Sequence, residues 1–342
     1  MMTKPLMTIL AVFLFMLTAN APLTAQDSNP AEKAQKAAEA YNWAIKNYKN
    51  NINEAIDSLE RFEKAAKMLL EDEKIEGKLR EQIEELHVKA KRYIPIFYRK
   101  SATKYYKQMR TDMAIDRFKE AMEVAKKFED EKTLEKAKRL LPKLYYKSGT
   151  DAMGMMDYQK AIDMFKKAAE YDSTWAKAYL KKAEAYNKSD NDAKMIAAIK
   201  ETIEVAKKTD DQKILDRAIR MGQNYYWRKG ANAISNSENE IALENFKKAL
   251  DFNENDGYAY YYTALAKNKL FKYDAAIEDG KKALELLDKE EDKEQVAMVH
   301  LQMGIAFASL GKKEKGCEYL EKAEYGKTAT KARKEQDSFE CE

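Results

Sequence analysis

The sequence predicts an all-α protein built as a solenoid of about seven helix pairs rather than as one closed core. Composition is the first reason. Of 342 residues, 35% are charged and 45% belong to the hydrophobic set, with only 11 Gly and 5 Pro. Such a chain is rich in helix formers and poor in helix breakers. The second reason is a repeat. Gly230, Ala242, Phe246, Ala249 and Leu250 answer to Ala264, Ala276, Gly280, Ala283 and Leu284, every pair offset by 34 residues. A fixed period of that length on helix-forming sequence marks stacked repeats. The third reason is a spacing inside each repeat, a small residue followed twelve positions later by Ala.

In chain order, the first 25 residues form a separate element. Met1 to Pro5 carry one cation, Lys4, the apolar run Leu6 to Leu17 follows, and small residues continue to Ala25. This is the layout of a secretory signal peptide, with cleavage after Leu23-Thr24-Ala25 favoured over Ala19-Asn20-Ala21, which would leave Pro22 first; the alternative is an uncleaved membrane anchor. The apolar run of about 12 residues is short of the ~20 that span a bilayer. The expected domains are therefore a signal peptide at 1–25, a helical array at 26–326, and a polar tail or capping helix at 327–342. The expected location is periplasmic or secreted.

The internal spacing then picks out the pairs. Ala102 and Ala114, Gly149 and Ala161, Gly230 and Ala242, and Ala264 and Ala276 all fit, while Gly304 and Gly316 fit with Gly in place of Ala. Trp43 and Ala55 fit the spacing with a large first residue. Ala183 and Ala198 are three residues further apart, read as a turn lengthened by Ser189-Asp190-Asn191-Asp192. Two antiparallel helices approach closely only where a small side chain lets one backbone near the other. The second helix then shows a small-large-small stripe at i, i+4 and i+7, as in Ala161-Phe165-Ala168 and Ala242-Phe246-Ala249. Charged turns such as Glu129-Asp130-Glu131-Lys132 and Asp210-Asp211-Gln212-Lys213 coincide with the long intervals between pairs, which predicts extra turns on the following first helix. Ile75 to Met109 is then either one very long helix bent at Pro95 or two helices.

The stripe resembles the tetratricopeptide repeat family. Tyr145, Gly149, Ala161, Phe165 and Ala168 occupy successive signature positions, as do Tyr226, Gly230, Ala242, Phe246 and Ala249. The copies together cover roughly 31–324. The family's proline at the end of the second helix is missing, with Ser173 and Glu254 in its place, and Glu39 and Trp43 depart from the pattern in the first copy. The resemblance implies a right-handed solenoid whose first helices line a concave groove. On that face it would place Tyr146, Lys177, Asn187, Asn224, Trp227, Tyr258, Tyr261 and Asn268. Aromatics mixed with Asn and Lys suit an extended peptide, or, alternatively, the rings of a glycan. They also serve simply to fill gaps between repeats. The family's carboxylate clamp is not reproduced, since Tyr146, Leu180, Trp227 and Tyr261 stand at its positions.

No chemistry of catalysis is legible. His87 and His300 are the only histidines, with no second ligand at metal spacing and no HExxH, GxSxG or GxGxxG. The expectation is a non-enzymatic scaffold with a protein or peptide partner and without metal or cofactor. Lys and Arg number 62 against 58 acids, a net charge of +4, and no basic stripe stands out along the sequence, so nucleic acid is not expected. Cys317 and Cys341 are 24 residues apart. In an oxidising compartment they would pair and pin the tail; otherwise they remain two thiols.

Overall fold

Helix formers run unbroken between the charged turns, and each run becomes a helix. The computed structural model describes residues 29–341, so the leader read at 1–25 lies outside the described residues. Fifteen α-helices and one short 3-10 turn make up the described chain, and none of them is long and apolar enough to cross a membrane. The first fourteen helices are seven consecutive pairs. In order these are α1 (Pro30–Asn47) with α2 (Ile52–Glu71), α3 (Gly77–Lys107) with α4 (Thr111–Lys127), and α5 (Glu131–Gly154) with α6 (Tyr158–Tyr171). Then come α7 (Ala176–Lys188) with α8 (Asp192–Lys208), α9 (Gln212–Ser235) with α10 (Asn239–Leu250), α11 (Gly257–Lys269) with α12 (Tyr273–Leu286), and α13 (Lys293–Ser309) with α14 (Lys313–Lys322). The 3-10 turn Gly326–Thr328 leads into α15 (Ala329–Ser338), so the residues after the array are helical.

The extra residues fall on first helices, as their charged leading turns suggest. α3 is 31 residues long, and α5 and α9 are 24 each. α3 is one helix with Pro95 inside it. Pro95 is buried among Ile94, Phe97 and Ala90, so packing holds the helix through the missing N–H.

Internal packing divides the chain into two units. One comprises Met1–Gln108 and Asp116–Glu135, the other Met109–Ile115 and Lys136–Glu342. In the described part of the first, Ile56, Leu59, Phe62, Ile94 and Phe97 form the core, and Arg117 sits over the Tyr98 ring at 5.7 Å. In the second, successive small clusters repeat along the chain, each centred on a second-helix stripe such as Ala161-Ile162-Phe165 or Ala242-Leu243-Phe246.

The turn inside each of the last six pairs is the most regular feature. Met109, Met156, Asp190, Ser237, Phe271 and Gly311 all have positive φ, between 54° and 74°. Each lies seven residues after the small first-helix residue. Backbone bonds from Asp157 N to Ala152 O, Asn191 N to Tyr186 O, Glu238 N to Ala233 O, Lys272 N to Lys267 O and Lys312 N to Phe307 O close the turn. These are the 6→1 bonds that end a helix with one left-handed residue.

That regularity corrects the reading of the fourth pair. Its turn, Ser189-Asp190-Asn191, is no longer than Met155-Met156-Asp157 in the third. The residue facing Ala183 twelve positions on is Met195, which is buried, and not Ala198. Met195, Ile199 and Thr202 take the places that Ala161, Phe165 and Ala168 take in the third pair. An unbranched thioether fits here where most other pairs use a methyl, so the twelve-residue spacing ends on Met instead of Ala.

Two glycines test how close the pairs approach. A Cβ on Gly316 would lie 2.8 Å from the backbone N of Ala308 and 3.0 Å from its Cα, while one on Gly154 would meet nothing. Gly316→Ala is expected to cost about 1–3 kcal/mol as the backbones are forced apart. Gly154→Ala is expected to gain about 0.5–1 kcal/mol by stiffening the unfolded chain. Urea denaturation of the two variants checks both signs.

Candidate functional site

Three consecutive first helices of the second unit bring charged and aromatic side chains together. On α7, Lys177, Lys181 and Glu184 stand at i, i+4 and i+7, which makes them one stripe. Glu184 accepts from Lys181 Nζ at 2.6 Å and from Arg217 at 2.7 Å. Arg217 comes from the N-terminal extension of α9, the turns that lie outside the repeat pattern. From α5, Tyr146 packs its half-buried ring 5.5 Å from Phe165 and 4.8 Å from Trp175, the residue leading into α7. Lys177 Nζ lies 5.3 Å from the centre of that ring. Burial raises the Tyr146 hydroxyl above its ordinary pKa, with Lys181 and Arg217 acting against that shift and Glu184 with it. It therefore stays a neutral donor and acceptor at physiological pH.

Charge is sorted by helix, which the sequence read end to end does not reveal. Basic residues outnumber acidic ones by six to three on α5, four to one on α7 and five to one on α9. Their partners α6, α8 and α10 carry three against two, four against three and two against two. These three first helices are cationic and their partners nearly neutral.

The same helices reveal the repeat type. A Cβ on Gly149 would lie 2.8 Å from the Phe165 ring, one on Gly230 2.9 Å from the Phe246 ring, and one on Gly304 2.7 Å from Leu320 Cγ. In each case the large residue lies sixteen positions after the glycine, with a left-handed turn residue between them. The helix pairs are tetratricopeptide-like in spacing and packing. No family model and no curated protein matches the chain. Among solved structures it is similar to a TPR repeats protein from Bacteroides fragilis NCTC 9343, at 20% identity over 72% of this chain and 97% of that one, with a TM-score of 0.38. YrrB, described as a TPR protein with an unusual peptide-binding site, is 20% identical over 56% of this chain and 91% of its own, with a TM-score of 0.30. The TPR2AB domain of yeast Sti1, in complex with pHSP90, is 17% identical over 72% and 97%, with a TM-score of 0.29. The repeat type rests on spacing and packing within this chain, not on these likenesses.

Tetratricopeptide geometry leaves some of the expected groove residues available and withdraws others. Lys177, Asn187 and Asn224 are exposed. Trp227 is half-buried, its ring edge-on to Phe246 at 5.7 Å and to Tyr262 at 4.7 Å, so part of it serves the packing between pairs. Tyr258 is half-buried and donates its hydroxyl to Asp292 at 3.1 Å, at the start of α13. Tyr261 does not line an open face. It is 7% exposed, in the cluster that joins α11 to α13 through Val299 and Met303, and burial pushes its hydroxyl pKa far up. Three successive tyrosines spaced 100° apart cannot all avoid the interior, and α13 packs on the side that Tyr261 occupies. Asn268 is likewise 7% exposed and donates to Gln302 O at 2.8 Å. It ties α11 to α13 instead of facing outward.

Lys181 and Arg217 are the members that sequence reasoning missed. Lys181 was detectable as the i+4 neighbour of Lys177. Arg217 was not, because nothing in the repeat pattern says which earlier helix an extension will meet.

Near the end of the chain, Cys317 and Cys341 are joined in a disulfide with Cα atoms 5.6 Å apart. Among the described residues no group of three His, Cys, Asp or Glu side chains is placed to hold a metal. Both histidines are held below the ordinary histidine value. Burial is the main cause in each, followed by Lys322 and Lys289 for His300 and by Lys91 for His87, where Glu63 acts the other way. The unfolded chain binds these protons more readily, so the stability they contribute is present above about pH 6.5 and is lost as pH falls below it. Denaturation midpoints are expected to drop from pH 7.5 to pH 5.5, and less so in His300→Gln.

Proposed function

We propose that this protein is a non-enzymatic scaffold that binds a protein or peptide partner on its first-helix face, and that it works in the cell envelope after export. The observation that carries the reading is the convergence of Tyr146, Lys177 and the Lys181–Glu184–Arg217 trio from three consecutive first helices. Exposed Asn187 and Asn224 on two of the same helices offer amide donors and acceptors to an extended backbone. Export is supported by the signal-like leader and by a disulfide suited to an oxidising compartment. Crosslinking in intact cells, followed by purification and mass spectrometry, tests the binding role. A defined partner is expected, crosslinked through α5, α7 or α9, and a crosslink map confined to other surfaces would count against the site. Intact-mass measurement of the native protein tests export, with a chain starting at Gln26 expected.

A further inference from the structure

The cation excess on α5, α7 and α9 is not spread evenly. Part of it gathers around one acid. Glu184 is bonded to both Lys181 and Arg217, while Lys177 lies over the Tyr146 ring with no acidic partner among the described residues and Lys143 stands exposed one turn earlier on α5. One carboxylate therefore faces three cations in direct contact with it or with Tyr146. Arg217 keeps a side-chain exposure of 54%, so its guanidinium is open to a second acceptor. The proposal rests on the scaffold reading above and narrows its partner. We infer that the face formed by Tyr146, Lys177, Lys181 and Arg217 binds an acidic segment of a partner polypeptide. Asp or Glu side chains of that segment pair with Lys177 and Arg217, and an aliphatic or ring surface rests on Tyr146.

The chemistry favours a peptide over a nucleic acid. Carboxylates on alternate residues can pass on either side of Glu184, whereas a continuous run of phosphates would have to place charge against it. Arg217 offers a planar fork suited to a carboxylate, and Lys177 a point charge. Two amides, on Asn187 and Asn224, are available to a peptide backbone. Glu184 itself holds Lys181 and Arg217 in place while the face is empty, at the cost of competing with the incoming acid.

The competition supplies the test. Binding of a fluorescein-labelled peptide of alternating Glu and Ala to the purified protein is followed by anisotropy. A Lys-Ala peptide, a Ser-Ala peptide and a single-stranded oligonucleotide of matched charge run alongside. The Glu-Ala peptide is expected to bind, and to weaken as ionic strength rises through the range where charge is screened. Lys177→Glu combined with Arg217→Ala is expected to weaken it by about tenfold or more. Glu184→Gln is expected to tighten it roughly threefold, a gain that loss of a merely structural contact would not produce. Lys282→Glu on α12 is expected to leave it unchanged, and circular dichroism establishes that each variant folds. The inference is overturned if the variants bind the acidic peptide as the parent does, if Glu184→Gln weakens it, or if the oligonucleotide binds more tightly. Binding of the Lys-Ala or Ser-Ala peptide alone overturns the acidic assignment and leaves the scaffold standing. Binding of no probe, together with no crosslinked partner from cells, removes both.

Discussion

Alanine in place of Phe246 is expected to cost about 3–5 kcal/mol. The side chain is fully buried, caps Gly230 from the second helix of its own pair, and stacks on Tyr262 of the next pair at 5.0 Å with Trp227 edge-on. Truncation leaves a cavity that neither neighbour can collapse into, because Gly230 has no side chain and Tyr262 is held by its own helix. The loss falls on an interface between repeats as well as inside one. In an array stabilised by nearest-neighbour contacts, such a loss is expected to split a single unfolding transition into two. Urea denaturation followed at both far-ultraviolet ellipticity and tryptophan fluorescence checks this. A shift below about 1 kcal/mol with one shared transition would show that the interface repacks.

Opening the bond between Cys317 and Cys341 is expected to remove about 3 kcal/mol from the end of the array, as the loop-entropy model gives for a ring of this size. The bond closes a loop that contains Gly326–Thr328 and α15. Without it, α15 is held by Ala332 and Phe339 against Leu301, Ile305, Leu320 and Ala323, and by Glu294, which accepts from Lys327 N at 3.0 Å. Ten residues with one fully buried alanine make a marginal helix on their own. Hydrogen exchange should therefore speed up across 326–341 on adding a dithiol or in Cys341→Ser, while α11 and α12 keep their protection. Two alkylatable thiols in protein isolated without reductant would show that the bond does not form in the cell.

The binding face was legible only in part, and the reason is directional. Periodicity says which residues share a helix face, and the family resemblance then puts Tyr146 and Lys177 on the groove side. It does not say what packs against that face. Tyr261 is equivalent to the half-buried Tyr146 and Trp227, and Asn268 to the exposed Asn187, yet both are buried where α13 packs on α11. The fourth pair was misread for a related reason. Met195 fills the place of an alanine, and a volume substitution inside a packed interface leaves no local mark in the sequence.

The sequence by itself determined the helical class, the seven pairs and the aromatic-over-glycine packing within them. All of these depend on residues within about twenty positions of one another, where spacing is a direct statement about geometry. Only the tertiary structure decided that Glu184, Lys181 and Arg217 meet beside Tyr146. It also decided that the excess cations of α5, α7 and α9 lie on first helices. Residues 146, 184 and 217 are more than thirty positions apart at each step, and their convergence depends on how far each first helix extends before the next pair turns back. That length is set by packing between pairs, which no single repeat encodes.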